Sequence, residues 1–166
     1  FSVENVTARN FVDTKFISET EHAVLVKRCR PERGDILMTR ITAGILGATV
    51  LIDWDVEASI YVSLALIKPN AIVHPGYLFR YSQSQFFVSD VERRGLVNAT
   101  PKKINMQDIG KIPIPVPPTK SEQLAIAEAL GEVDELLGAL DRLIAKKRDL
   151  KQAAMQQLLT GQTRLP

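Results

Sequence analysis

The sequence predicts an α+β fold: a strand-rich domain with short helices, followed by one long α-helix. Three observations carry that prediction. Residues 1–118 break into short apolar and β-branched runs, each ending at Gly, Pro or Asp. Four prolines, Pro113, Pro115, Pro117 and Pro118, then hold a strip of chain extended, because each fixes φ and lacks a donor for a helix or a central strand. From Thr119 onward, apolar residues recur at helical spacing over about 40 residues. The boundary between the two parts falls at 118/119.

Taken in order, "HAVLVKRC" (22–29), "GDILMTRITAGILGA" (34–48), "ATVLIDWDVE" (48–57) and "SIYVSLALIKP" (59–69) read as strands. Asp53, Asp55 and Glu57 alternate, which would put three carboxylates on one face of a strand or hairpin. After Pro75 and Gly76, Leu78, Tyr81, Phe86, Phe87 and Val91 stand close to helical spacing, and Gly95 stands where a helix end accepts positive φ. One or two short helices packed on the sheet are expected there. "LVNATPKKINMQDIGKIPIPVP" (96–117) reads as an exposed loop, a turn of helix at "NMQDIG", and the extended strip. Ile112, Ile114 and Val116 alternate with the prolines, so they face one side and can pin the strip to the body.

The long helix opens with Thr119 as N-cap and Glu122 three residues later, the pattern of a capping box. Its apolar stripe runs through Ile126, Leu130, Val133, Leu137, Leu140, Ile144 and Leu158, flanked by Leu136, Leu143 and Leu150, with Glu135, Arg142, Asp149 and Gln156 on the polar back. Gly161 ends it. About 40 residues make a rod roughly 60 Å long, about twice the diameter of a small domain. A domain of some hundred residues is too short to cover such a stripe, so a partner helix is expected.

Composition narrows the chemistry. The single cysteine, Cys29, excludes an internal disulfide, and His22 and His74 are too few to build a zinc site with it. No phosphate loop, dinucleotide fingerprint, HExxH or nucleophile elbow is present, so catalysis, a cofactor and a bound metal are not expected. No run approaches the roughly 18 apolar residues of a membrane span, and a cytoplasmic, non-membrane protein is expected. The net charge is only +2. Cations nevertheless cluster: Lys27, Arg28, Arg30 and Arg33, then Arg93 and Arg94, then Lys102 and Lys103.

Five stretches together resemble a known family. They are "ERGDILMTRITAGILGATVLID" with "ALIKPN", then "HPGYLFRYSQSQFF", "GLVNATPKKINMQDIGKIPIPVPPTKSEQLAIAEAL" and the closing "LKQAAMQQLLTGQTRLP". The chain resembles the DNA-specificity (S) subunits of type I restriction-modification systems over nearly its whole length. The resemblance implies a target recognition domain (1–118) that reads a short DNA sequence, and a long dimerisation and spacer helix (119–166). Complete members carry two such units, whose helices pair as an antiparallel coiled coil. One unit is present here, with no internal repeat, and the chain opens on Phe1 where the family has a further stretch of strand. A half-subunit or a fragment is therefore expected.

The implied function is recognition of one half of a bipartite site on double-stranded DNA by a non-catalytic subunit. A methyltransferase (M) subunit and an ATP-driven restriction (R) subunit are the implied partners. Pairing of two copies through the helix would set two readers at opposite ends of a rod. Two stretches offer cations for phosphates beside amide or hydroxyl groups for base edges. The first is Arg93, Arg94, Asn98, Thr100, Lys102 and Lys103; the second is Thr39, Arg40 and Thr42. Gln83 and Gln85 form a third. The competing function is a coiled-coil assembly module that never meets DNA.

Overall fold

The computed structural model describes residues 1–164. The expected helical segment at 119–166 runs past them by two residues, 165–166, which lie outside the described part. In chain order the elements are α1 (Val3–Ala8), α2 (Glu19–Arg28), β1 (Ile36–Thr39), β2 (Ile41–Thr42), β3 (Thr49–Leu51), β4 (Leu64–Ile67), α3 (Pro75–Ser82), α4 (Gln85–Arg94), β5 (Lys102–Lys103), α5 (Met106–Ile109) and α6 (Lys120–Leu159). The α+β class and the long closing helix are both present.

Strand β1 is the centre of a three-stranded antiparallel sheet of order β3-β1-β4, with Leu37 opposite Val50 and Leu66. All four of its residues are buried, because both faces of the sheet are covered. Successive side chains point to opposite faces, and the strand feeds two cores accordingly. Met38 packs with Leu46, Ala65, Phe87, Val91, Ile104 and Ile112, while Leu37 packs with Val6, Val50, Ile52 and Leu64. Helix α3 is tied to β3 by a buried hydroxyl pair, Thr49 Oγ1 to Ser82 Oγ at 2.8 Å. At the other end of β1, Lys68 Nζ donates to Asp35 Oδ2 at 2.7 Å and Glu32 Oε2 at 2.9 Å. Burial pulls the Lys68 pKa down, but the bonds to Asp35 and Glu32 outweigh it, and the ammonium stands above its ordinary value. The Glu32 carboxyl is held below its ordinary range by the same Lys68.

Two compact units emerge, Phe1–Ala127 and the helix from Glu128 onward. Within the first, the proline strip behaves as a strut. Ile112 is buried, Ile114 half-buried and Val116 exposed, so the pinning is strongest at the start. Backbone carbonyls of the strip take the rest of the load: Tyr77 Oη donates to Pro115 O at 2.5 Å and Tyr81 Oη to Pro113 O at 3.3 Å. The first turn of α6 follows, with Glu122 N donating to Thr119 Oγ1 at 3.2 Å. Gln123 is buried there; its Oε1 accepts from His74 N at 2.6 Å, and its Nε2 donates to Pro117 O at 2.9 Å and Ile72 O at 3.2 Å. At the far end, Gly161 has φ +74, the left-handed conformation expected of the residue that stops a helix.

The structure departs from the sequence reading in four places. "HAVLVKRC" is helix up to Arg28, within α2, with Cys29 as its extended C-cap, because both ends are set up for one. Ser18 Oγ accepts from Glu21 N, Glu19 and Glu21 lie in the first turn and Lys27 and Arg28 in the last, matching the helix dipole. Two valines penalise a helix only slightly against such caps. Asp53, Asp55 and Glu57 lie beyond β3 in irregular chain, and all three are exposed. Phe86 is exposed, since α3 ends at Ser82 and α4 restarts after the N-cap Ser84, which shifts the helical register between Tyr81 and Phe87. Gly95 caps α4 at φ −85; it is required for space, not for a left-handed turn.

Candidate nucleic-acid interface

The chain returns to the end of β1 after about sixty residues and builds a second, two-stranded sheet there. Strand β2 pairs antiparallel with β5: Ile41 faces Lys103 and Thr42 faces Lys102. A third segment joins on the outer side, where Leu96 N donates to Lys103 O at 2.7 Å and Lys103 N to Leu96 O at 3.4 Å. Arg40 O accepts from Ile104 N at 2.9 Å, which locks the end of β1 to the same ribbon. Arg40 and the two lysines, distant in sequence, are thus neighbours.

Close packing beneath the ribbon holds it in place. A Cβ at Gly95 would stand 2.9 Å from Leu46 Cδ2 and from Val91 O, and 3.3 Å from Lys103 O. A Cβ at Gly47 would meet Val91 Cγ1 at 2.9 Å, and its φ of +81 already favours glycine. Gly47 therefore sits directly on the Val91 side chain of α4, and Gly95 lies against the Leu46 side chain and the Val91 carbonyl, with no room for a Cβ at either glycine.

The residues singled out from the sequence divide by what they touch. Thr39 is fully buried: its Oγ1 donates to Ile45 O at 2.7 Å and accepts from Ala48 N at 3.0 Å. Thr42 is buried too, with Oγ1 accepting from Gly44 N at 2.9 Å. Both hydroxyls shape the 39–48 turn and have no surface from which to read a base; polarity in a turn resembled display in the sequence. Arg40 is half-buried. Its Nη1 donates to Val62 O at 3.1 Å, and its Nε is buried without a partner among the described residues. Arg93 pairs with Asp90 one turn earlier, which offsets its charge. Arg94 is half-buried, its Nε unpartnered among the described residues. Asn98, Thr100 and Lys103 are exposed and Lys102 half-buried. Neither Lys102 nor Lys103 is in an ion pair among the described residues. Gln83 and Gln85 lie at the α3–α4 junction, where Gln85 Nε2 donates to Ser89 Oγ at 3.2 Å.

The arrangement offers cations, an exposed amide and an exposed hydroxyl along one ribbon, a set suited to phosphate and base contacts. Among the described residues no cluster of His, Cys, Asp or Glu could hold a metal ion, and no helix is long and apolar enough to cross a membrane. Sequence reasoning missed Leu96, which the pairing with Lys103 brings into the ribbon. It also missed the role of Gln123, whose three backbone partners come from positions 72, 74 and 117.

Comparison with solved structures gives the same architecture. One similar chain comes from a structural study of complex assembly and conformational transition in the type I R-M system (TM-score 0.66, 20% identity, 81% of this chain and 36% of that one). Another is the HsdS subunit from Thermoanaerobacter tengcongensis (TM-score 0.62, 22% identity, 82% and 36%). A third is the type I restriction-modification S subunit from M. genitalium (TM-score 0.56, 24% identity, 76% and 32%). The chain spans about a third of the length of these three. No curated protein matches it. The family model described as type I restriction modification DNA specificity domain matches residues 11–147, most of the sequence and both sides of the proline strut. The chain belongs to the family of type I restriction modification DNA specificity domains.

Proposed function

We propose that this chain is a non-catalytic reader of double-stranded DNA, recognising one half of a bipartite site for a type I restriction-modification system. The observation that carries the proposal is the β2–β5 pairing, which brings Arg40, next to β2, and Lys102–Lys103, distant in sequence, onto one ribbon. Arg40 and Asn98 are assigned to base edges, Arg94, Thr100, Lys102 and Lys103 to phosphates, and Arg93, partly neutralised by Asp90, to the rim. Thr39 and Thr42 hold the turn that presents Arg40. The methyltransferase subunit, carrying the chemistry, and the restriction subunit are the proposed partners.

The helical segment from 119 onward is assigned to pairing. Leu130, Val133, Leu137, Leu140, Ile144 and Leu158 are exposed in the single chain, and Ile126 half-buried, which leaves an apolar stripe for the same stripe of a second copy. Antiparallel pairing would set two readers apart by helix length. Removing one heptad from the middle of α6, about 10 Å of rise, is expected to shift the preferred gap between half-sites by about three base pairs. Duplexes with graded gaps measure this, and an unchanged preference contradicts the ruler. The same stripe is what favours the rival reading, an assembly module indifferent to DNA.

Mobility shifts on random and selected duplexes separate the two readings. Lys103→Gln is expected to weaken binding to every sequence and to reduce the slope of log K against log salt by about one, and Lys102→Gln, half-buried on the row of the ribbon shared with Thr42, to do the same by less. Arg40→Ala or Asn98→Ala is expected to cost about 1–3 kcal/mol on the preferred sequence and little on random DNA. Equal losses on all duplexes for all four variants would leave no base reader among them.

A further inference from the structure

The pairing parity of the ribbon sorts its side chains into two faces. Directly opposed residues on neighbouring strands project to the same side. Thr42 and Lys102 form one pair, and Thr42 is buried, so that side faces inward. Ile41, Lys103 and Leu96 form the other row, a cation between two apolar side chains, and it faces outward: Lys103 is exposed and Leu96 is 54% exposed. The leucine has no use as a phosphate contact.

Its position nevertheless restricts what can cover it. An apolar protein surface laid over this row would bury the Lys103 ammonium without a counter-charge, which is strongly unfavourable. Duplex DNA offers both chemistries at once, phosphates along the groove edge and, within the major groove, a single apolar group, the C5-methyl of thymine. That groove is about 12 Å wide and admits a two-stranded ribbon. We infer that Leu96 reads the 5-methyl group of a thymine in the half-site, with Lys103 beside it on the phosphate backbone and Ile41 closing the apolar contact. The inference rests on the DNA-reading function proposed above and deepens it: the half-site contains a T·A pair whose thymine methyl faces the ribbon.

Deoxyuridine differs from thymidine by that methyl alone, which makes the test atomic. A preferred duplex is selected from a randomised library with the full chain and its methyltransferase partner, and each thymine is then replaced by deoxyuridine in turn. At one position the wild-type protein is expected to lose affinity about fourfold, the worth of one methyl-sized apolar contact. Leu96→Ala is expected to lose about as much on the thymine duplex and to be indifferent to deoxyuridine at that position, while Leu96→Met keeps the sensitivity. Because Leu96 is exposed, the truncation leaves the core intact, and an unchanged Tm confirms it. If selection enriches a sequence but every deoxyuridine duplex binds as well as its parent, or Leu96→Ala remains as sensitive as wild type, this inference is overturned and the DNA-reading function stands. If selection enriches no sequence at all, both fall together.

Discussion

Gly95→Ala is expected to destabilise the protein by about 3 kcal/mol and to abolish sequence preference on DNA, although alanine is a better helix residue than glycine. The backbone is not the obstacle, since φ −85 at Gly95 suits any residue. The obstacle is space: the new Cβ would lie 2.9 Å from Val91 O and 3.3 Å from Lys103 O, both backbone atoms of paired elements. A side chain could swing away, as Leu46 could, but two carbonyls cannot. Either the last turn of α4 must open or β5 must lift from the helix, and the second choice breaks the Leu96–Lys103 bridge. Denaturant unfolding reads the stability and a duplex titration reads the ribbon. Gly110→Ala is the control, because Gly110 is helical at φ −63 and its added Cβ meets nothing closer than 3.7 Å. It is expected to be neutral or to stabilise by about 0.5 kcal/mol. Equal behaviour of the two variants would contradict the packing assigned to Gly95.

Gln123→Ala is expected to cost at least about 3 kcal/mol, since truncation leaves His74 N, Ile72 O and Pro117 O without the partner that joins them. The side chain is 1% exposed, so water cannot replace it without opening the joint between the proline strip and the first turn of α6. Gln123→Glu gives a sharper test. A carboxylate would face two carbonyl oxygens, so its folded-state pKa must rise above the ordinary value of about 4.3. The folded variant then binds more protons than the unfolded chain between those two values, and its stability falls as pH rises. Relative to the wild type, the variant is expected to be least impaired near pH 4 and progressively worse towards pH 7. Thermal unfolding across that range measures it, and a flat difference would contradict the three-bond geometry.

Which features were legible in the sequence follows from how local their causes are. Helix α6 was plain, because periodicity, cap and terminal glycine are all contained in the run itself. The two short helices and the proline strip were legible for the same reason. Strand β1 was legible as apolar, but its two-faced burial depends on α1 and α4, which lie far along the chain. The valines of segment 22–29 point to a strand, whereas its caps at Ser18 and in the last turn decide for a helix. The site was half legible. Arg40 and the 93–103 loop read as separate candidates in the sequence, and only the long-range pairing of β2 with β5 brings them side by side. Thr39 and Thr42 show the converse error: a hydroxyl in a glycine-rich turn attracts attention as a reader, while its bonds to Ile45 O and Gly44 N consume it locally. Gln123 gave no local signal, since its partners at 72, 74 and 117 are brought together only by the fold.

The central claim, that this ribbon reads base sequence, is tested most directly by selecting duplexes from a randomised library with the wild-type chain and with Arg40→Ala, each in the presence of the methyltransferase subunit. The account predicts that the wild type enriches a short defined block and that Arg40→Ala enriches the same block with one position made degenerate. Enrichment of no block by the wild type, or of an unaltered block by Arg40→Ala together with Asn98→Ala, would contradict it.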